Sequence, residues 1–287
     1  MPRLSYAAPV SVPDAIKLLA GAEGLAKVMS GGTDLLVQLR SGRTKPELIV
    51  DTKKIHGIIG IRETADGWVD GAATPGAELS EHAGFSAAYP GVVEGTNLIG
   101  STQVQGRASL AGNLCNASPA ADSVPAMIAA GAVVVVVGPN GQRSVPVGQI
   151  VIAPGRTSLA KGEFILEVHV PKVKAKQADA YLRFIPRTEM DIAVVGCGVN
   201  LTLDAGGVIT AASVVLGAVA PTQVAVDASA IVGSKLDDAA LAALDTAARA
   251  ACNPITDKRG TIEFRTKIAG VLARRAAKIA YDRAGAR

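Results

Sequence analysis

Two short stretches of this chain are built from residue types that can hold an oxyanion. In Met29-Ser30-Gly31-Gly32-Thr33-Asp34-Leu35-Leu36, a glycine pair follows a run with strand character and precedes one with helix character. Without Cβ atoms, Gly31 and Gly32 let backbone N–H groups approach a phosphate closely. The same stretch also suits a tight strand-to-helix turn that holds nothing. The second stretch, NLIGSTQVQGRASLAGNLCNASPAAD from Asn97 to Asp122, is dominated by Gly, Ser, Asn and Thr. Its small polar groups can donate to an oxyanion, and Asp122 can accept from hydroxyls such as those of ribose. Two separate grips with no catalytic His or Cys pattern beside them suit an extended diphosphate ligand better than a small metabolite. Neither GxGxxG after a strand nor GxxxxGK[ST] occurs, which disfavours a Rossmann dinucleotide unit and a P-loop.

Other chemistry is poorly represented. His56, His82 and His169 lie in no motif, and His169 alternates with Val168 and Val170 on an expected strand, so all three read as structural or exposed. The serines lack His and Asp partners for nucleophilic catalysis, and no general base is assigned. Cys115, Cys197 and Cys252 are odd in number and far apart, without CxxC spacing. Neither a disulfide framework nor a metal centre is expected in this chain.

The elements that must position the two grips can be read from pattern. Pro13 and Asp14 mark a helix start, Ile16, Leu18 and Leu19 give it an apolar face, and Gly21 a stop. Strands are expected at Ala26–Met29, Leu48–Asp51 and Gly67–Ala73, and a buried helix over Ala126–Ala132. The run Ala132–Val137, the turn Pro139-Asn140-Gly141 and the return Arg143–Val147 predict a hairpin. Beyond a polar break within Pro171–Ala180, Asn200–Leu203, the turn Asp204–Gly207 and Val208–Leu216 predict an antiparallel meander. Helices over about Asp238–Ala251 and Ile262–Ala284 follow, which makes the second half α+β.

The 287 residues suffice for two domains. Hydrophobic residues at 49% against 19% charged exclude a disordered chain, and aromatics at 3% leave no stacking platform for single-stranded nucleic acid. The net charge of +4 is spread along the chain, and its densest basic run, Arg274-Arg275 with Lys278, falls on a helix face. No run of eighteen apolar residues occurs, so no membrane insertion is expected and the default location is the cytoplasm.

Four motifs in order, SGGTDLLVQLR, IGSTQVQGRASLAGNLCNASPAADSVPAMIAAGA, YLRFIPRTEMDIAVVG and DKRGTIEFRTKIAGVLARRA, span essentially the whole chain. In this combination the chain closely resembles the FAD-binding medium subunits of the xanthine dehydrogenase and carbon monoxide dehydrogenase family. The resemblance implies an α+β protein: a two-lobed FAD-binding domain of the vanillyl-alcohol oxidase type over 1–173, with lobes of about 1–56 and 57–173, then a small C-terminal domain over 178–287. Carried over by position, Ser30, Gly31, Gly32, Thr33, Asp34 and Leu35 match the loop on the FAD diphosphate. Ser109, Gly112 and Asn113 match the second grip, Ile99 stands beside it, and Asp122 matches a residue near the ribose. Ile165 and Leu166 match apolar residues lining the flavin ring, and Arg183 matches a position usually held by Lys. Three departures stand out: Arg183 itself, which binds as a planar fork rather than a point charge, Ala111 where the family often has Gly, and Ile192 where some members carry an aromatic residue.

By the same resemblance, a molybdopterin-type molybdenum cofactor on a large partner subunit oxidises substrate, two [2Fe–2S] clusters on a small partner carry the electrons, and FAD in this chain receives them. A dimer of heterotrimers is the expected assembly. Two rival readings remain at this point: a stand-alone flavin reductase that oxidises NADPH, and a non-catalytic nucleotide-binding scaffold.

Overall fold

The structure, a computed structural model, describes residues 4–287. Strands β1 (Ser5–Ala7), β2 (Ala26–Met29) and β3 (Leu48–Asp51) form a parallel sheet in the order β1-β3-β2, and helix α1 (Val12–Gly21) connects the first two. Ser11 caps α1 by accepting from the Asp14 N–H, and Pro13 sits in its first turn, where a missing N–H costs nothing. Ala15 and Leu19 bury the inner face. After β2 the chain turns through the glycine pair into helix α2 (Leu35–Arg40).

The second sheet is antiparallel. Strands β4 (Ile61–Thr64), β5 (Gly67–Gly71), β6 (Val133–Gly138), β7 (Gly141–Pro146) and β10 (Phe164–Pro171) lie in the order β4-β5-β10-β6-β7. A small ribbon of β8 (Val151–Ala153) and β9 (Arg156–Thr157) sits beside them. The five consecutive valines of β6 are buried on both faces except Val133, because the core covers one side and α1 packs on the other. Between β5 and β6 run short helices: α3 (Gly76–Glu81), α4 (Ala83–Ala88), α5 (Pro90–Thr96), α6 (Thr102–Gln105), α7 (Leu110–Cys115) and α8 (Ser123–Ala129).

The third sheet, β11-β12-β13-β14, is an antiparallel meander of β11 (Gln177–Phe184), β12 (Val195–Leu203), β13 (Ile209–Gly217) and β14 (Val224–Val226). Helices α9 (Asp238–Ala250) and α10 (Ile262–Gly285) cover one face. α10 buries Ala269, Gly270, Ala273, Ala276, Ala277, Ala280 and Ala284, a small-residue stripe that lets the helix lie close to the sheet. This half has its own core, centred on Val199, Leu201, Leu216, Leu244 and Ala273, separate from the core of the first half.

Several expected boundaries move. The helix read over Ala126–Ala132 begins at Ser123 and ends at Ala129, because Gly131 at φ +75° turns the chain into β6. The strand expected to reach Ala73 ends at Gly71. The polar break is shorter than read, since β11 already begins at Gln177 and pairs in register with β12.

Candidate functional site

A groove of about 610 Å³ runs between the first sheet, the second sheet and the α7 region. Of the residues singled out from sequence, Ser30, Gly31, Gly32, Thr33, Asp34, Leu35, Ile99, Ser109, Gly112, Asn113 and Ile165 all line it. The two grips, separated by some seventy residues of chain, therefore face one cavity.

Gly31 and Gly32 serve different ends. A Cβ on Gly31 would lie 1.8 Å from the Arg107 carbonyl oxygen, so Gly31 is where the first grip touches the backbone of the second. Gly32 adopts φ +76°, a left-handed conformation strained for other residues. In the resulting turn, the N–H groups of Gly31, Gly32, Thr33, Asp34 and Leu35 find no acceptor among the described residues; the first bond of α2 runs from the Leu36 N–H to the Gly32 carbonyl. Five consecutive donors left open beside a groove form a nest for an anion. A second tie joins the walls: the Gln38 side-chain amide donates to Asn116 at 2.9 Å.

The second grip is held from inside. Ser109 is 2% exposed. Its hydroxyl donates to the Ala72 carbonyl at 2.8 Å and accepts from the Gly112 N–H at 3.1 Å, which caps α7 and leaves little for a ligand. Asn113 uses its side-chain oxygen to accept from Ser123 at 2.8 Å. Ala111, the departure from the glycine pattern, is a helical residue of α7 and fits there without strain.

Three sequence-chosen residues stand outside the groove lining. Leu166 gives its carbonyl to the Ala72 N–H. Asp122, assigned from sequence to a ribose, is 6% exposed and engaged elsewhere: it accepts from the Tyr181 hydroxyl at 2.8 Å and from Arg183 at 2.7 Å. The Arg183 side chain is 5% exposed and also donates to the Leu98 carbonyl at 2.9 Å, one residue from Ile99 on the groove wall. Asp122 and Arg183 are thus partners of each other, and Asp122 stands outside the groove lining in this structure. Burial pushes the Asp122 carboxyl up to about 6 against the opposing pull of Arg183 and Tyr181.

Sequence reasoning missed the part of the groove wall formed by Thr157, Leu159, Lys161 and Phe164. The segment GRTSLAKG carries no periodic or motif signal. Cys115 also lines the groove and is exposed. His56 is exposed, His82 caps α4 by accepting from the Phe85 N–H, and His169 pairs with Glu167; none lines the groove. Among the described residues there is no cluster of three or more metal-ligating side chains, and no helix is long and apolar enough to cross a membrane.

Residues 2–173 match the model of the FAD binding domain in molybdopterin dehydrogenase, and residues 180–280 match that of the CO dehydrogenase flavoprotein C-terminal domain. The chain belongs to this family of FAD-binding medium subunits. It is 32% identical over 284 residues to the carbon monoxide dehydrogenase medium chain of Hydrogenophaga pseudoflava, covering 98% of each. It is 31% identical over 222 residues to the xanthine dehydrogenase FAD-binding subunit of Escherichia coli O157:H7, covering 77% of this chain and 75% of that one. Among solved structures, carbon monoxide dehydrogenase from Hydrogenophaga pseudoflava lacking the Mo-pyranopterin moiety superposes with a TM-score of 0.93 at 33% identity, covering 98% of both chains. Quinoline 2-oxidoreductase from Pseudomonas putida 86 gives 0.88 at 25%, covering 99% of this chain and 98% of that one. The protein is a flavoprotein subunit of an oxidoreductase, and FAD is its cofactor. The open N–H nest, the length of the groove and its apolar wall at Ile99, Ile165 and Phe164 fit a dinucleotide with a flat ring.

Proposed function

We propose that this chain is the flavin station of a molybdenum hydroxylase with a large molybdenum-binding subunit and a small [2Fe–2S] subunit. Substrate is oxidised on the large subunit, and electrons cross two clusters on the small one, reach the FAD held here, and leave for a terminal acceptor. Bound flavin supplies the step between one-electron cluster chemistry and a two-electron acceptor. The chain's own part is to bind, orient and shield. The Gly31–Leu35 nest holds the diphosphate, the Asn113 amide and the first turn of α7 close on it from the other side, and Ile99 and Ile165 flank the ring. The Asp122–Tyr181–Arg183 cluster stands beside Ile99, through the Arg183 bond to the Leu98 carbonyl. A division into 1–173 and 178–287, with the first part split near 56, is supported by the separate cores and sheets. A dimer of heterotrimers in the cytoplasm completes the reading.

The observation that carries it is the pairing of a cofactor-sized groove holding an open N–H nest with no metal-ligating cluster among the described residues. The chain purified alone is expected to bind one FAD per monomer, to be reduced by dithionite, and to oxidise no aldehyde, purine or aromatic heterocycle with an artificial acceptor. Adding the two partner subunits should restore turnover. Rapid reduction of its flavin by substrate or NADPH in a stopped-flow experiment with the chain alone would favour the stand-alone reductase instead.

A further inference from the structure

Behind the glycine pair, on the side away from the groove, lies a short polar chain that no motif marks. Strand β3 ends at Asp51 and runs into a single 3-10 turn over Thr52–Lys54. The Lys53 ammonium donates to the Ser30 carbonyl at 2.7 Å and to Asp51 at 2.7 Å. The second oxygen of Asp51 accepts from the Tyr6 hydroxyl at 2.7 Å, and the Thr52 hydroxyl reaches the Met29 carbonyl at 3.4 Å. Burial acts to raise Asp51, but the bonds from Lys53 and Tyr6 outweigh it and hold the carboxyl below its ordinary value, so it is charged near neutrality. Lys53 is not among the residues lining the groove.

A planar trans peptide points its C=O and N–H in opposite directions. The Ser30–Gly31 peptide is trans, so a Ser30 carbonyl held toward Lys53 turns the Gly31 N–H away from Lys53, toward the cavity that Gly31 lines. The Gly31 N–H itself has no acceptor among the described residues, so the bond from Lys53 to the Ser30 carbonyl is the hydrogen bond that orients this peptide. We infer that Lys53 is a positioning residue for the cofactor diphosphate: by anchoring the Ser30 carbonyl on the outer side, it aims the first donor of the nest into the groove. Tyr6 and Asp51 hold Lys53 in place. The inference rests on the diphosphate lying at the Gly31–Leu35 turn.

The test compares Lys53→Met, which keeps the stem and removes the ammonium, with Lys53→Arg and the milder Tyr6→Phe, all in the full chain stripped of FAD and titrated with FAD and with ADP. Lys53→Met is expected to weaken both ligands by about the same factor, on the order of tenfold, and Tyr6→Phe by less. Lys53→Arg, which retains the cation, should recover most of the affinity. The ³¹P resonances of bound FAD should move in Lys53→Met while the visible flavin spectrum stays unchanged, since the altered contact is at the phosphates. Wild-type affinity with unmoved ³¹P resonances would overturn the assignment. So would an affinity loss matched by an equal fall in the melting temperature of the FAD-free chain, which would mark Lys53 as merely structural. Gly32→Val serves as the control on the underlying reading. If Gly32→Val keeps FAD, the diphosphate does not lie at this turn; if it loses FAD while Lys53→Met does not, only the role of Lys53 fails.

Discussion

The glycine pair shows how two identical residues can be required for unrelated reasons, and the difference is measurable. In Gly31→Ala the added Cβ meets the backbone carbonyl of Arg107 at 1.8 Å, where no side-chain rotation relieves it, so the two grips must move apart. In Gly32→Ala the nearest atom is the flexible Met29 sulfur at 3.3 Å, and the cost is the left-handed backbone, about 1–2 kcal/mol. Gly31→Ala is expected to purify without FAD, and Gly32→Ala to retain it with an affinity reduced by roughly five- to thirtyfold. Absorbance at the flavin bands and equilibrium titration distinguish the two. Sequence reasoning found these positions because glycine in a strand-to-helix turn carries its own signal. It did not foresee the pairing of Asp122 with Arg183, because the two lie 61 residues apart and no local pattern links them.

At the scale of elements, strand β11 joins the two halves through alternate side chains. Asp179, Tyr181 and Arg183 point toward the first half: Asp179 accepts from the N–H groups of Gly91 and Val92 at the start of α5, and Tyr181 and Arg183 converge on Asp122. Burial raises the Asp179 carboxyl to about 7, against the pull of the two backbone donors. A carboxyl raised on folding binds a proton that the unfolded chain, at 3.8, has already released. Stability from this site is therefore fully present below about pH 4 and is lost as pH rises to about 7. Asp179→Asn should flatten the fall in urea midpoint between pH 5 and pH 8, leaving the part that belongs to Asp122, which is raised in the same direction. An unchanged pH slope would show that Asp179 does not titrate as its burial requires. The sequence pattern hid this strand: Lys172, Lys174, Lys176 and Gln177 read as linker, and the polar residues of β11 are inward-facing. The hairpin β6–β7, the meander β12–β13 and both long helices were legible, because β-branched runs, turn residues and a helical apolar stripe coincide there.

For the whole molecule, the seam between the halves depends on backbone proximity and the buried Asp122–Arg183 pair more than on its exposed ion pair. A Cβ on Gly198 of β12 would stand 2.7 Å from the Pro125 backbone at the start of α8. Arg283 of α10 pairs with Glu94 of α5, but their side chains are 32% and 34% exposed, and such a pair contributes about 0–1 kcal/mol. Gly198→Val is therefore expected to open the seam and expose the connection near Lys172–Lys176 to protease, whereas Arg283→Ala should lower the melting temperature by no more than a few degrees. Calorimetry with limited proteolysis checks both. The two-domain count followed from length and from the change of pattern after residue 171, but the seam could not be read from sequence: small residues mark close packing without naming what they pack against.

The ion pair between Asp122 and Arg183 also sets an order of events during synthesis. At about 5–20 residues per second, the 61 residues that separate them take about 3–12 s to be made. For that interval the emerging first half holds a carboxyl with neither its arginine nor its tyrosine, and that acid stays protonated or solvated. The nest at Gly31–Leu35 is complete long before. The seam around Asp122 can therefore close only once β11 has been made, whereas the Gly31–Leu35 turn is synthesised well before it.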